Sequence, residues 1–256
     1  MSSVPNLKEL LENLIPVAHA AGAAIMDVYN GEDCAEWKED GSPVTLADKR
    51  AEAIILQGLK RFAPSITIIS EENPDSHLQA AQGMFFLVDP LDGTKEFLKR
   101  DGKGSFTVNI ALVENGAPIF GIVYAPALGR TFSGIDGAGA WENGSEISVR
   151  NAATDKKIAV ASVSHRDAVT DKWLNDNAIN ETVSIGSSLK FCLVACGEAH
   201  VYPRFAPTME WDTGAGHAVL SAAGGRVEKP DGSIFAYGKP NYRNGDFIAY
   251  GRTEVT

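Results

Sequence analysis

The stretch Val88-Asp89-Pro90-Leu91-Asp92-Gly93-Thr94 places two carboxylates three positions apart at the end of an apolar run, then a glycine and a hydroxyl. Oxygen ligands of this kind suit a hard cation. Magnesium takes oxygens in octahedral geometry, and a turn here lets Asp89, the Leu91 carbonyl and Asp92 converge. Gly93 allows close backbone approach, and Thr94 to Leu98 can open a short helix whose free N–H groups receive a phosphate. A plainer reading competes, because Asp before Gly often makes only a turn or a helix cap. An EF-hand loop is a poorer fit: the twelfth position from Asp89 is Arg100, where glutamate is required.

Two further acidic segments stand where a strand meets a loop or a helix: Ser70-Glu71-Glu72-Asn73 and Trp211-Asp212-Thr213-Gly214-Ala215-Gly216. Singly they are weak signals. Glu71 and Glu72 read equally well as solvated loop charges, and Asp212 as a helix N-cap. Thr45-Leu46-Ala47-Asp48 is a capping box at a helix start, which accounts for Asp48 without chemistry.

The elements that position these groups follow from periodicity. Apolar residues from Leu7 to Val28 recur at three- and four-residue intervals and predict a long helix over 7–29, disturbed at Pro16. A second helix is expected from Ser42-Pro43-Val44-Thr45 to Phe62, with Asp48 in its first turn. Runs rich in branched and aromatic residues predict strands at 66–69, 84–88, 106–113, 119–124 and 130–134, several paired antiparallel across turns such as Glu114-Asn115-Gly116. Further strands are expected at 158–163, 182–185, 199–202 and 247–250, with helices near 167–177, 187–197 and 212–223. Helices and strands therefore alternate in layers. A soft boundary near Asn151 to Lys157 divides 1–150 from 151–256 within one compact unit.

Composition sets outer limits. With 256 residues, 44% hydrophobic and 22% charged, the chain can bury a sizeable core. Its formal net charge of −10 argues against a nucleic-acid polymer as partner but leaves room for a small anion met by local positive charge. Cys34, Cys192 and Cys196 form no CxxC pair, so neither a disulfide framework nor a zinc site is indicated and a reducing, cytoplasmic setting fits best. Cys192 and Cys196, one helical turn apart, are expected to be buried small hydrophobes. Glu9 and Glu12 speak against a secretory signal, and no apolar run is long enough to span a membrane. Peripheral attachment to the inner membrane surface is left open. His19, His77, His200 and His217 form no catalytic or metal pattern.

In this order, Glu71-Glu72, the DPLDGTKEF stretch from Asp89 to Phe97 and the WDTGAG stretch from Trp211 to Gly216 resemble the metal-binding signature of the inositol monophosphatase superfamily. The resemblance spans nearly the whole chain. It implies a layered α/β/α/β/α sugar-phosphatase-like fold, with mixed and largely antiparallel sheets between helices, and a lithium-sensitive phosphatase using two or more Mg2+ ions. Residue by residue it implies that Glu71, Asp89 and the Leu91 carbonyl hold one ion, and that Asp89, Asp92 and Asp212 hold the second. It prefers Glu71 to Glu72, which the sequence alone does not separate. Thr94 and Asp48 fall where the family pattern places a threonine and an aspartate beside the attacking water.

Lys95-Glu96-Phe97 departs from the Thr-Asn-Phe common in inositol monophosphatases. Ser162-Val163-Ser164-His165, Gly186-Ser187-Ser188-Leu189-Lys190-Phe191 and Tyr202-Pro203-Arg204-Phe205 are similar to the nucleotide-contacting segments of CysQ-type 3'(2'),5'-bisphosphate nucleotidases in that superfamily. The implied substrate-binding set is Glu71, Leu91, Asp92, Gly93, Thr94, His165, Ser187, Lys190, Arg204 and Asp212. Lys190 and Arg204 would meet a second phosphate and His165 an adenine; the plain alternatives are a snorkelling lysine and a surface arginine. The expected reaction is hydrolysis of adenosine 3',5'-bisphosphate to AMP and phosphate, with the related sulfated nucleotide as a second substrate and a role in sulfur metabolism. Action on an inositol or sugar phosphate is the nearest alternative, and a metal or nucleotide sensor without turnover is the rival of another class.

Overall fold

The structure, a computed structural model, describes residues 4–31, 35–37, 43–79, 81, 83–100, 104–150, 157–162 and 168–251. Helix α1 (Leu7–Asn30) starts under the Asn6 side chain, which accepts from the backbone of Lys8 and Glu9, and runs unbroken through Pro16. The expected disturbance is absent because Pro16 lies on the exposed face, where water can serve the carbonyl that proline leaves without a donor, while Leu14 and Ala18 anchor the buried face. A short antiparallel ribbon, β1 (Ala35–Trp37) with β2 (Pro43–Thr45), leads into α2 (Leu46–Phe62).

The larger sheet has seven strands in sequence order: β3 (Thr67–Ser70), β4 (Met84–Asp92), β5 (Thr107–Glu114), β6 (Ala117–Ala125), β7 (Arg130–Ile135), β8 (Gly139–Glu142) and β9 (Ser145–Ile147). Only β3–β4 is parallel. Strand alternation gives the sheet two apolar faces. Phe86, Val88, Ile110 and Leu112 pack on α1 and α2, whereas Phe85, Leu87, Ala111 and Val113 belong to the core under the later helices. Strand β4 runs on through Asp92 instead of stopping at Val88, so Asp89 and Asp92 both sit within a paired strand, and α3 (Thr94–Lys99) follows at once.

A five-stranded sheet contains β10 (Ile158–Ser162), β11 (Glu181–Ile185), β12 (Val201–Arg204), β14 (Arg226–Glu228) and β16 (Phe247–Tyr250), in the order β11-β10-β12-β16-β14. Strands β13 (Thr208–Met209) and β15 (Arg243–Asn244) form a separate small pair. Helix α4 (Ala168–Asp176) covers one face of the five-stranded sheet through Leu174, packed with Ala159, Val201 and Ile248. Between the two sheets lie α5 (Leu189–Ala195) and α6 (Glu210–Ala222). The layers are thus α/β/α/β/α, as the motifs implied.

Helix α6 can nest on the larger sheet because Gly121 and Gly134 present no side chain at its closest approach. A Cβ on Gly121 would stand 2.4 Å from the Ala215 carbonyl oxygen, and one on Gly134 2.6 Å from Val219 Cα. Cys192 is buried as expected, but Cys196 is only half-buried, since it ends α5 and its sulfur faces Glu198. Cys34 lies outside the described residues. No described helix is long and apolar enough to cross a membrane.

Candidate active site

The Asp89–Asp92 stretch is a bulge in the larger sheet. Asp89 pairs with Asn109 and Asp92 with Thr107, so three steps along β4 oppose two along β5. One extra residue turns the strand and aims both carboxylates toward one side. Asp89 Oδ1 accepts from the Leu91 N–H at 3.0 Å, and the Thr94 hydroxyl donates to the Leu91 carbonyl at 3.2 Å. Gly93 has φ 91°, a left-handed conformation that lets α3 begin immediately. The turn reading of these residues is therefore correct as far as it goes, and it builds the site instead of replacing it.

The other acids arrive from neighbouring elements. The parallel pairing of β3 with β4 sets Ser70 beside Val88, and the Glu71 N–H continues it by donating to the Val88 carbonyl at 3.1 Å. Glu71 consequently reaches the end of β4 next to Asp89. Asp212 is the third residue of α6 and not its N-cap, which is Met209; its Oδ2 accepts from the Met209 N–H at 2.8 Å and so closes the helix start from within the first turn. One oxygen each of Glu71, Asp89 and Asp212 lies within 4.8 Å of the others. Asp92 is held by the Ser188 N–H at 2.6 Å, the Ser188 hydroxyl at 3.0 Å and the Asn109 amide at 3.4 Å, all on Oδ2.

Electrostatics identify what this cluster wants. Burial, followed by the charges of Glu71, Asp92, Asp212 and Asp48, pushes the Asp89 carboxyl well above the ordinary carboxylate range. Burial and then Asp92 push Asp212 up to about 7. Asp92 is also raised by burial, against the opposing pull of Lys190 and the Ser188 donors. Buried carboxylates that cannot all ionise alone can do so around a cation. An all-oxygen donor set of this charge fits a hard divalent ion better than zinc or copper.

The cluster lines a cavity of about 270 Å³ together with Leu91, Gly93 and Thr94. Ser187, Lys190 and Arg204 line the same cavity, close enough for Lys190 and Arg204 to act on the charge of Asp212. Lys190 is buried, 6% exposed, and donates from Nζ to the Ser187 carbonyl at 2.5 Å; Arg204, 8% exposed, donates to the Ala206 and Pro207 carbonyls at 3.2 and 3.5 Å. Neither is the surface cation of the plainer reading. Burial lowers the Lys190 ammonium to about 8, with Asp92 opposing the shift and Arg204 adding to it. Asp48 is buried in the first turn of α2, near enough to Asp89 to act on its charge. His165 lies outside the described residues.

Sequence reasoning missed Thr208, which also lines the cavity, and Asn109, which braces it. Glu96 and Tyr202, which line the cavity too, and Ser188 were noted only as parts of motifs. A second convergence of possible ligands, Glu142, Cys196 and Glu198, already holds the Arg130 guanidinium, which bonds Glu142 at 2.6 Å and Glu198 at 2.5 Å.

Comparison with known proteins places the chain in one family. The sequence profile of the inositol monophosphatase family matches residues 6–253. A protein of Salmonella typhimurium named 3'(2'),5'-bisphosphate nucleotidase CysQ is 46% identical over 235 residues, 89% of this chain and 94% of its own. The crystal structure of CysQ from Bacteroides thetaiotaomicron superposes with a TM-score of 0.85 at 36% identity, over 98% of this chain and 100% of that one. An inositol monophosphatase from Anabaena gives 0.75 at 27% identity, over 96% and 92%.

Proposed function

The chain belongs to the inositol monophosphatase family, and from that premise we propose that it is a magnesium-dependent 3'(2'),5'-bisphosphate nucleotidase that hydrolyses adenosine 3',5'-bisphosphate to AMP and phosphate. The sulfated analogue is its second substrate. The observation that carries the reading is a cavity lined both by the acids Glu71, Asp89, Asp92 and Asp212 and by the two buried cations Lys190 and Arg204. A ligand with two phosphates matches that lining, one phosphate sharing metal ions with the carboxylates and the other meeting Lys190 and Arg204 directly.

Glu71, Asp89, Asp92, Asp212 and the Leu91 carbonyl would hold two or more Mg2+ ions. When bound, such ions offset the phosphate charge and acidify water for in-line attack. The protein's own groups then manage the proton. Thr94 passes it to the buried Asp48 carboxylate, and for that its hydroxyl turns from the Leu91 carbonyl toward Asp48. Gly93 leaves room for the phosphate, and Ser187 and Lys190 orient the far end of the nucleotide. His165, outside the described residues, is the proposed partner of the base. Glu71 is preferred to Glu72 because it is Glu71 that converges with Asp89 and Asp212.

Phosphate release from adenosine 3',5'-bisphosphate, inositol 1-phosphate and fructose 1,6-bisphosphate, assayed in parallel, tests the substrate. The nucleotide is expected to be the best substrate by kcat/KM. Preference for either of the others would keep the cation site and remove the roles given to Lys190, Arg204 and His165. No release from any would favour a sensor.

A further inference from the structure

Four elements of the fold meet at one hydroxyl. Ser188 immediately precedes α5, and its Oγ lies 3.0 Å from Asp92 Oδ2 and 2.6 Å from the backbone carbonyl of Asp212 in α6. Asn109 of β5 donates its amide to Ser188 Oγ at 3.0 Å and reaches Asp92 Oδ2 at 3.4 Å. Both side chains are buried, Ser188 at 2% and Asn109 at 0% exposure. A serine hydroxyl has one proton and can also accept. Oγ therefore accepts from Asn109 while its proton is shared between the Asp92 carboxylate and the Asp212 carbonyl. In a water-poor interior such a network holds its members in one arrangement.

The consequence for the two acids is specific. Among the described residues, the donors to Asp92 fall on Oδ2, which fixes the carboxylate rotamer and turns Oδ1 away from them. Asp212 is gripped twice, by its carboxylate on the Met209 N–H and by its carbonyl on Ser188. We infer that Ser188 is a positioning residue that ties the Asp92 carboxylate to the Asp212 backbone, joining strand β4 to helix α6 beside the acids that would hold a divalent cation. This rests on reading those acids as metal ligands. Ser188→Ala removes the shared proton and the acceptor for Asn109 but keeps the backbone N–H bond to Asp92, so the turn bearing Ser187 and Lys190 stays in place. Loss of an outer partner from a metal-ligating carboxylate weakens metal binding by about 10–100-fold.

The test is calorimetric titration of metal-stripped wild type, Ser188→Ala and Asn109→Ala with Mg2+, together with phosphate release over a range of Mg2+ concentrations and thermal midpoints in EDTA. Ser188→Ala is expected to bind Mg2+ about 10–100-fold more weakly and to need correspondingly more for half-activation. At saturating Mg2+ its KM is expected to match wild type, and its thermal midpoint in EDTA to fall only by what the lost buried hydrogen bonds cost; a purely structural role would lower the midpoint and leave Mg2+ affinity alone. Asn109→Ala enters the same network from β5, shifts Mg2+ affinity in the same direction, and carries the test should Ser188→Ala not fold. Folded variants with wild-type Mg2+ affinity would overturn the inference. Wild type that neither binds nor needs Mg2+ would instead overturn the metal reading, and the inference with it.

Discussion

Asp89 is buried among Glu71, Asp92, Asp212 and Asp48, and its ionised form is disfavoured first by lost hydration and then by those neighbours. Asp89→Asn removes one of the mutually repelling charges. It is therefore predicted to stabilise the metal-stripped protein, on the order of 1 kcal/mol, while abolishing the stabilisation that Mg2+ gives wild type by mass action. Thermal midpoints in EDTA and in Mg2+ check this, because the ranking of the two proteins should reverse between conditions; a lower midpoint for the variant in both would mean that Asp89 serves the fold alone. Asp89 and Asp92 were legible in the sequence because two acids, a glycine and a hydroxyl directly follow an apolar run. Asn109 and Ser188 were not legible as a pair, since they stand 79 positions apart and each alone is an ordinary small polar residue. Nor did the sequence show that the turn at Asp89 and the capping bond of Asp212 bring these two acids together with Glu71.

The acids come together through three devices at the level of elements: the parallel β3–β4 pairing, the bulge in β4 and the close approach of α6 to the sheet. The last depends on Gly121, where a Cβ would meet the Ala215 backbone oxygen at 2.4 Å. Gly121→Ala is predicted to push α6 outward, at a cost of about 1–3 kcal/mol by chemical denaturation. Because α6 carries Asp212, Mg2+ affinity should fall with it; unchanged stability would show that the sheet yields without moving the helix. Long, strongly periodic elements such as α1, β5 and β6 were readable from sequence. Short strands such as β8, β9 and β14 were not, because three or four residues carry too little periodicity. The bulge was hidden as well, since Pro90 and the turn-forming acids signal an end to the strand while pairing with β5 continues to Asp92.

Across the whole molecule a net charge of −10 is offset locally where Lys190 and Arg204 line the same cavity as the acids. The fold also carries a titrating group away from that cavity's ligands. His217 is buried beside the Tyr237 hydroxyl at 3.1 Å, and burial, with Lys239 adding to it, lowers its pKa from 6.5 to about 3. It stays neutral in the fold while the unfolded chain takes up a proton, so the contribution is complete above 6.5 and is lost as pH falls from 6.5 toward 3. Its slope approaches about 1.4 kcal/mol per pH unit in that window. Unfolding free energies of wild type and His217→Gln from pH 7 to 4 check this, since the variant should lose less stability on acidification; parallel curves would contradict it. The central claim is tested most directly by phosphate release from adenosine 3',5'-bisphosphate by metal-stripped protein before and after Mg2+ is restored. The account predicts no turnover in chelator and full turnover, yielding AMP, once Mg2+ is added; release that persists in chelator, or that Mg2+ does not restore, would contradict it.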